Sequence, residues 1–424
     1  MKEEFLHYIW QFKLFSHQDL KTVSNEEIII VTSGTANKNA GTDFLNAQLK
    51  INEQLWVGNV EIHIKSSDWY AHNHEEDKNY EAVILHVVWE DDATVFMKNN
   101  KPLPTLVLKK VVDKKLLHNY QDLFSKQKRF IPCETQISTV NSFVKDNWIE
   151  RLYFERLEQK SVLINQLLEK SNNDYEAVLF QLLAKNFGLK VNGDAFLQLA
   201  TSLDFSIIRK ERFDEQKLAA LLFGQAGFLS EDIEETYHKE LKITYEYLQY
   251  KYKLQPLEKH LFQFFRMRPA NFPTIRIAQL VALFFAYQNL FSKLMEIEKI
   301  KDFYTLLTLS VNSFWQMHYT FDKTSTKRIK KLTKPFIDLL LINTVIPLKF
   351  KYLKSRGEAG EEKIIALMQQ LKPEKNSIIS DFSEVKMIAK NAFESQALLE
   401  LKNQYCNQKR CLDCAIGNVL LREI

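Results

Sequence analysis

The chain is poor in the residues that interrupt regular structure: its 424 residues include only 10 Gly and 9 Pro. So few breakers exclude a collagen-like or low-complexity polymer and favour long helices joined by ordinary turns. Cysteine is scarcer still, at four residues, which excludes a disulfide-dense secreted scaffold and fits a reducing compartment. No apolar run reaches the roughly 20 residues of a spanning helix. The most apolar stretch, Ile277 to Leu290, is shorter and contains two Gln. A strong charge of one sign is also missing, since 57 Lys and Arg against 53 Asp and Glu leave +4, too little to name a partner. Glu3 and Glu4 stand where a signal peptide would be basic, and no apolar segment follows. The expectation is a cytoplasmic protein without membrane segments, and the length suggests two or three domains.

What the sequence does contain is a concentrated chemical signal between residues 41 and 65. Gly41-Thr42-Asp43-Phe44 is followed, 18 positions after Asp43, by Glu61-Ile62-His63-Ile64-Lys65. Leu45, Ala47, Leu49 and Ile51 alternate with polar residues, Asn52-Glu53-Gln54 turns the chain, and Leu55 to Lys65 runs back. That pattern predicts a β-hairpin. Residues two apart share a strand face, so Glu61, His63 and Lys65 are expected to point the same way, with Asp43 near Glu61. Two carboxylates held close repel unless a cation lies between them, which points to a divalent metal.

The pattern resembles the metal-dependent nuclease superfamily known by its PD…(D/E)xK signature. That resemblance implies Asp43 and Glu61 as ligands of Mg²⁺ or Mn²⁺, with His63 or Lys65 orienting the attacking water. Thr42 replaces the usual Pro, and His63 replaces the Lys. The order of elements agrees: an amphipathic helix at 3–15, a strand at 27–33, the hairpin, then an apolar strand at 82–89. Helix followed by consecutive strands is how that core begins. The whole chain is also similar to an uncharacterised bacterial family, through Glu3 to Trp10, Gly58 to His63, Ser66-Ser67-Asp68-Trp69, Leu222 to Gly227 and Arg268 to Pro273. That second likeness assigns no activity.

The expected fold is therefore α+β or α/β: a restriction-endonuclease-like mixed-sheet domain over 1–125, then a mainly helical region over 126–424. Helices are predicted at 142–170, 174–187, 194–204, 214–223, 230–262, 274–320, 335–354, 360–371 and 382–402. Phe223-Gly224-Gln225-Ala226-Gly227 reads as a helix-to-helix turn and lacks the spacing of a phosphate loop.

Three other constellations carry chemistry. His72, His74, Asp77 and His86 can hold a transition metal or supply a general base, or else form a polar loop beside a buried His86. Cys406, Cys411 and Cys414 form a C-x4-C-x2-C run, and Cys133 is the remaining cysteine. Together they suit zinc or an iron–sulfur cluster, against the plainer reading of ordinary thiols. Residues 323–356 hold ten Lys or Arg against one acid, among them Lys327, Arg328, Lys330 and Lys331. Such a stripe suits nucleic-acid phosphates or is simply a solvated helix face. Arg266, Arg268 and Arg276 around Pro269 and Pro273 present the same choice.

The function these signals predict is metal-dependent hydrolysis of nucleic acid, DNA foremost, with Glu4 as a further carboxylate. The alternatives are a non-catalytic nucleic-acid-binding or scaffold protein on a degenerate nuclease core, and a zinc hydrolase of a small molecule built on His63, His72, His74 and His86.

Overall fold

Helix takes 53% of the chain and strand 12%, the balance expected where glycine and proline are few. The computed structural model describes residues 1–125 and 127–423. They form a mixed α+β structure with two compact units. The first holds residues through Trp148, Glu384–Met387 and the segment from Leu401 onward, and the second holds Ile149–Ser383 and Ile388–Glu400.

The first unit opens with α1 (Glu3–Gln11), whose Phe5, Leu6, Tyr8, Ile9 and Trp10 are buried. Then come β1 (Ile28–Thr32), β2 (Thr35–Ala36), β3 (Phe44–Ile51) and β4 (Gln54–Lys65). A short helix, α2 (Asp68–Ala71), precedes β5 (Val83–Glu90) and β6 (Thr105–Val107). The strand order is β1-β3-β4-β5-β6, with β2 beside β3. The β1–β3 and β3–β4 pairs are antiparallel, whereas β4–β5 and β5–β6 are parallel. The predicted hairpin is the β3–β4 pair.

Side-chain alternation gives this sheet two unlike faces. Val60 pairs with Leu85 and Ile62 with Val87, which in turn faces Leu106. Those five side chains are at most 1% exposed and form an apolar layer. On the opposite face Glu61 pairs with His86. A parallel connection needs a crossover, and here it is the segment between Lys65 and Val83, which carries Trp69, His72, His74 and Tyr80. Ser66 pins its start: its hydroxyl donates to Asp91 Oδ1 at 2.7 Å and accepts the Asp92 N–H at 3.0 Å.

The unit continues through α3 (Lys114–Leu123) and past the boundary expected at 125. Arg129 pairs with Asp122 at 2.8 Å, and Ile131, Cys133, Ile137 and Val140 are buried. The C-terminal segment returns to the same unit, where Asn119 Nδ2 donates to the Leu420 carbonyl at 3.1 Å and Arg422 Nε to the Tyr8 hydroxyl at 3.1 Å.

The second unit is helical. It takes in most of α4 (Ser142–Lys170), then α5 (Tyr175–Phe187), α6 (Leu189–Thr201), α7 (Phe205–Glu211), α8 (Glu215–Gln225), α9 (Thr236–Tyr252) and α10 (Pro273–Ala286). Three predicted helices prove too long, among them 382–402, which holds the end of the helix Ser377–Glu384, a non-helical stretch and the helix Ala392–Glu400. The 230–262 run keeps only α9, which stops at Lys253 in a left-handed conformation (φ 54°). The 274–320 run breaks into α10 and the helices Leu290–Glu296, Ile300–Leu307 and Ser313–Met317, then a small hairpin of β7 (His318–Thr320) and β8 (Lys323–Thr324). The Phe223–Gly227 segment is the end of α8 and the start of its exit turn, with Gly227 at φ 76°. Among the described residues no helix is long and apolar enough to cross a membrane.

Candidate metal centre

Asp43 sits immediately before β3 and reaches across to β4. Its N–H donates to Glu61 Oε2 at 3.1 Å, and its Oδ2 accepts the Ile62 N–H at 2.9 Å. Asp43 and Glu61 are thus neighbours, each carboxyl group bonded to a backbone N–H in the other's segment, while neither joins the group of three ligand atoms that lie close enough to share an ion.

Around Glu61 the structure gathers imidazoles. His63 shares its strand face by the period of two, His86 comes from the aligned position of β5, and the crossover delivers His72 and His74. Glu61 Oε1 lies 3.4 Å from His74 Nε2 and 3.7 Å from His63 Nε2, and His63 Nε2 lies 3.2 Å from His72 Nδ1. One nitrogen from each of His63, His72 and His74 falls within a mutual 4.8 Å. Two nitrogens bound tetrahedrally at about 2.0–2.1 Å to one ion stand about 3.3 Å apart. The spacing of His63 and His72 suits two ligands of one ion and, with no ion, a hydrogen bond between the rings. His63 Nδ1 is 2.8 Å from His86 Nε2. The tautomer that leaves His63 Nε2 free places its proton on Nδ1, donated to His86, an outer partner of the sort that orients metal ligands.

Aromatic walls fix the rings. Tyr80 stacks on His74 with centroids 3.7 Å apart, and Trp69 lies edge-on to His74 at 5.4 Å. The centre is dry at its base: Glu61 is 4% exposed, His63 1% and His86 0%.

Burial sets the protonation. It pushes the Glu61 carboxyl up to about 9, with the Asp43 charge adding to the effect. Burial, with the neighbouring imidazoles, takes His63 down to about 3, and it does the same to His86. His74 is also lowered by burial. Without a cation Glu61 thus holds its proton while burial keeps His63 and His74 toward the neutral form, the form that binds a metal once Glu61 gives up its proton.

Two residues of α1 join the site unannounced by the sequence reading. His7 Nε2 lies 3.3 Å from Asp43 Oδ2. Burial works against its charge, but the hydrogen bond and charge of Asp43 prevail and raise its pKa. Glu3, one helical turn away, feels His7, Asp43 and His72 and is itself raised by burial. Glu3 is the α1 carboxylate that faces His7, Asp43 and His72, while the expected Glu4 acts on the site through the charge of His7. A polar i, i+4 pair on an otherwise buried helix face was the available signal.

Other expected residues lie elsewhere. Lys65, at the end of β4, is 53% exposed and extends toward Asp92 at 3.8 Å, outside the cage. Asp77 accepts the Asn79 N–H at 2.9 Å and caps a short 3₁₀ turn. Lys327, Arg328 and Lys331 are exposed in the second unit. Lys330 is turned inside, its ammonium donating to the His318 carbonyl at 2.7 Å and to that of Trp315, so it presents no charge to a phosphate. Arg276 is likewise buried in α10, over the Phe336 ring at 3.6 Å, with its donors on Gln279 and Asn271. Cys133, Cys406, Cys411 and Cys414 all line one small cavity in the first unit.

Fold and site together define an α+β protein in which buried Glu61 and His63 of the sheet meet His74 and an exposed His72 from the crossover. The chain belongs to the family described as "Protein of unknown function (DUF2851)", whose model matches residues 3–377. No curated protein and no solved structure matches it.

Proposed function

We propose that this protein is a metal-dependent hydrolase that cleaves phosphodiester bonds of nucleic acid at the Glu61–His63–His72–His74 cage. The observation that carries the reading is the convergence of His63, His72 and His74, with Glu61 Oε1 at 3.4 Å from His74 and 3.7 Å from His63, and His72 at 3.2 Å from His63. Supporting the nuclease class are Asp43 at a strand start, Glu61-x-His63 on the adjacent strand, and a helix followed by consecutive strands. His63 stands where the signature has Lys, and here it is a ligand candidate more than a base.

The donor set changes the expected ion. Imidazole suits Zn²⁺, Fe²⁺ or Mn²⁺, whereas Mg²⁺ prefers oxygen throughout, so Mn²⁺ or Zn²⁺ is favoured over Mg²⁺. Such an ion, when bound, lowers the pKa of a water and steadies charge on a phosphoryl group. The chain's own groups do the rest. Asp43 and His7 hold one another at 3.3 Å at the rim, where the pair can take a proton from the nucleophile or pass one to a leaving oxygen. Trp69 and Tyr80 keep the imidazoles in place. Lys327, Arg328 and Lys331 belong to the second unit, where they are exposed cations of the basic stretch together with Lys323 and Lys334.

A small-molecule substrate is the second reading. A cavity of ≈ 340 Å³ opens beside His74 and is lined by Glu75, Asp77 and Glu81 along with Trp69 and Tyr80. Its acids disfavour a polyanion entering that side. The experiment is to strip the protein with a chelator, restore Mn²⁺, Zn²⁺ or Mg²⁺ singly, and assay labelled DNA, RNA and a small chromogenic phosphodiester with wild type and His72→Ala. Cleavage of polymer restored best by Mn²⁺ or Zn²⁺ and lost in His72→Ala supports the nuclease reading. Cleavage of the small ester alone moves the substrate to the second reading, and metal-independent cleavage overturns both.

A further inference from the structure

The four cysteines of the chain come from places 273 or more positions apart, Cys133 from one side and Cys406 to Cys414 from the other, yet all four line one cavity. No free cysteine remains for chance packing elsewhere. Cys133, Cys411 and Cys414 are 7–9% exposed, and Cys406 is intermediate. The surrounding wall is apolar, from Leu123, Pro132, Leu401, Tyr405 and Ile416. The enclosed space of ≈ 10 Å³ has room for about one water centre.

The local chain is shaped around the sulfurs. Cys406 ends a π-helical segment, Leu401–Cys406, Cys411 opens a 3₁₀ turn, and Cys414 immediately precedes the C-terminal helix Ala415–Arg422. The Cys414 sulfur receives the backbone N–H groups of Gly417 and Ile416 and the side chain of Trp148. Burial still raises the Cys414 thiol, as it does those of Cys133, Cys406 and Cys411, so a metal must displace their protons on binding. Gly417 allows that wrap, because a Cβ there would stand 2.2 Å from the Cys411 carbonyl oxygen.

The spread of the sulfurs decides the kind of centre. Thiolates on one tetrahedral zinc, with bonds of about 2.3 Å, stand about 3.8 Å from each other. Among the described residues only His63, His72 and His74 bring three ligand atoms within 4.8 Å, so no three of these sulfurs do so. Thiolates that cap different irons of a polynuclear cluster are held farther apart. The C-x4-C-x2-C run with one distant Cys is also a recognised spacing for iron–sulfur ligation, though here the distant residue lies N-terminal.

We infer that Cys133, Cys406, Cys411 and Cys414 ligate one iron–sulfur cluster, which ties the segment from Leu401 onward to the Ile131–Ile137 turn of the first unit. The centre is independent of the histidine cage and of its proposed activity. It stands as a staple: no redox step is assigned to it. Lys402, which donates to the Phe130 carbonyl next to this turn, marks the same junction.

The test is the content of full-length wild-type protein purified without oxygen from iron-replete cells: iron, acid-labile sulfide and zinc per chain, with the visible spectrum before and after dithionite. The expected result is iron and sulfide in equal amounts, about two or four of each per chain, with a broad visible absorption that bleaches on reduction. Cys406→Ser should lose the sulfide and the colour, and His72→Ala should keep both. Zinc bound without sulfide, no bound metal, or iron that leaves with His72→Ala and stays with Cys406→Ser would overturn the inference. Because wild type alone distinguishes cluster from zinc, a variant that fails to fold does not blunt the test.

Discussion

Glu61 is the residue on which the account turns, because its proton and a metal ion compete for the same oxygens. Its folded-state carboxyl titrates at about 9 against an ordinary 4.5. Between those values the metal-free folded protein keeps a proton that the unfolded chain has released, so stability falls as pH rises through that window. His63 and His86, lowered to about 3, act in the other range: the unfolded chain binds protons below 6.5 that the folded chain does not, so stability falls as pH drops. Glu61→Gln removes only the first effect. In chelator-treated protein, the melting temperature of Glu61→Gln should gain on wild type steadily as pH is raised from 4.5 toward about 9. Saturating Mn²⁺ or Zn²⁺ should then raise wild type and leave the variant nearly unmoved. A difference independent of pH would show that Glu61 does not hold its proton in the cage. At this scale much was legible. The period of two on β4 brought Glu61 and His63 together, and the 18-residue spacing fitted Asp43 to them. The same period misplaced Lys65, because the strand ends there and the side chain leaves for Asp92. His7 and Glu3 were hidden because a helix face reveals what is buried, not which strand it meets.

At the scale of elements, the site depends on β4 and β5 running parallel. Only a crossover brings the segment after Lys65 back over the Glu61 face, and with it His72 and His74. The strands could be read from their alternation and apolar content. Their parallel pairing could not, since an apolar run at 82–89 pairs equally well either way. At Gly58 of β4 the chain on the β5 side comes close: a Cβ would lie 2.4 Å from Ile84 Cγ2 and 2.6 Å from the Ala82 carbonyl oxygen. Gly58→Val should therefore open the β4–β5 edge, at a cost of about 1–3 kcal/mol for overpacking. Denaturant titration should show that loss, and metal uptake at the histidine cage should weaken with it. Unchanged stability would mean that the strands pair less closely there. The helical region was read well where one amphipathic pattern runs unbroken, as in α4 and α5. It was read poorly over 274–320, where nearly continuous apolar residues conceal three breaks and a hairpin. There the period says that the segment is buried without saying where it turns.

Across the whole molecule, two compact units share one chain, and the chemistry proposed so far belongs to the first. The composition fixed the broad class, and scarce glycine and proline agreed with a chain more than half helical. What composition could not supply is the return of the C-terminal segment to the first unit, since the Cys133 partners are separated from it by the entire helical region. Family membership adds extent, residues 3–377 as one matched span, without adding an activity. The central claim is that the Glu61 cage hydrolyses phosphodiesters with a bound metal. It is tested most directly by incubating labelled single- and double-stranded DNA and RNA with wild type and Glu61→Gln in Mn²⁺. The account predicts cleavage by wild type and a loss of at least a hundredfold in the variant, the scale on which removal of a key charge group acts. Equal cleavage by both proteins, or none by metal-loaded wild type on any substrate, would contradict it.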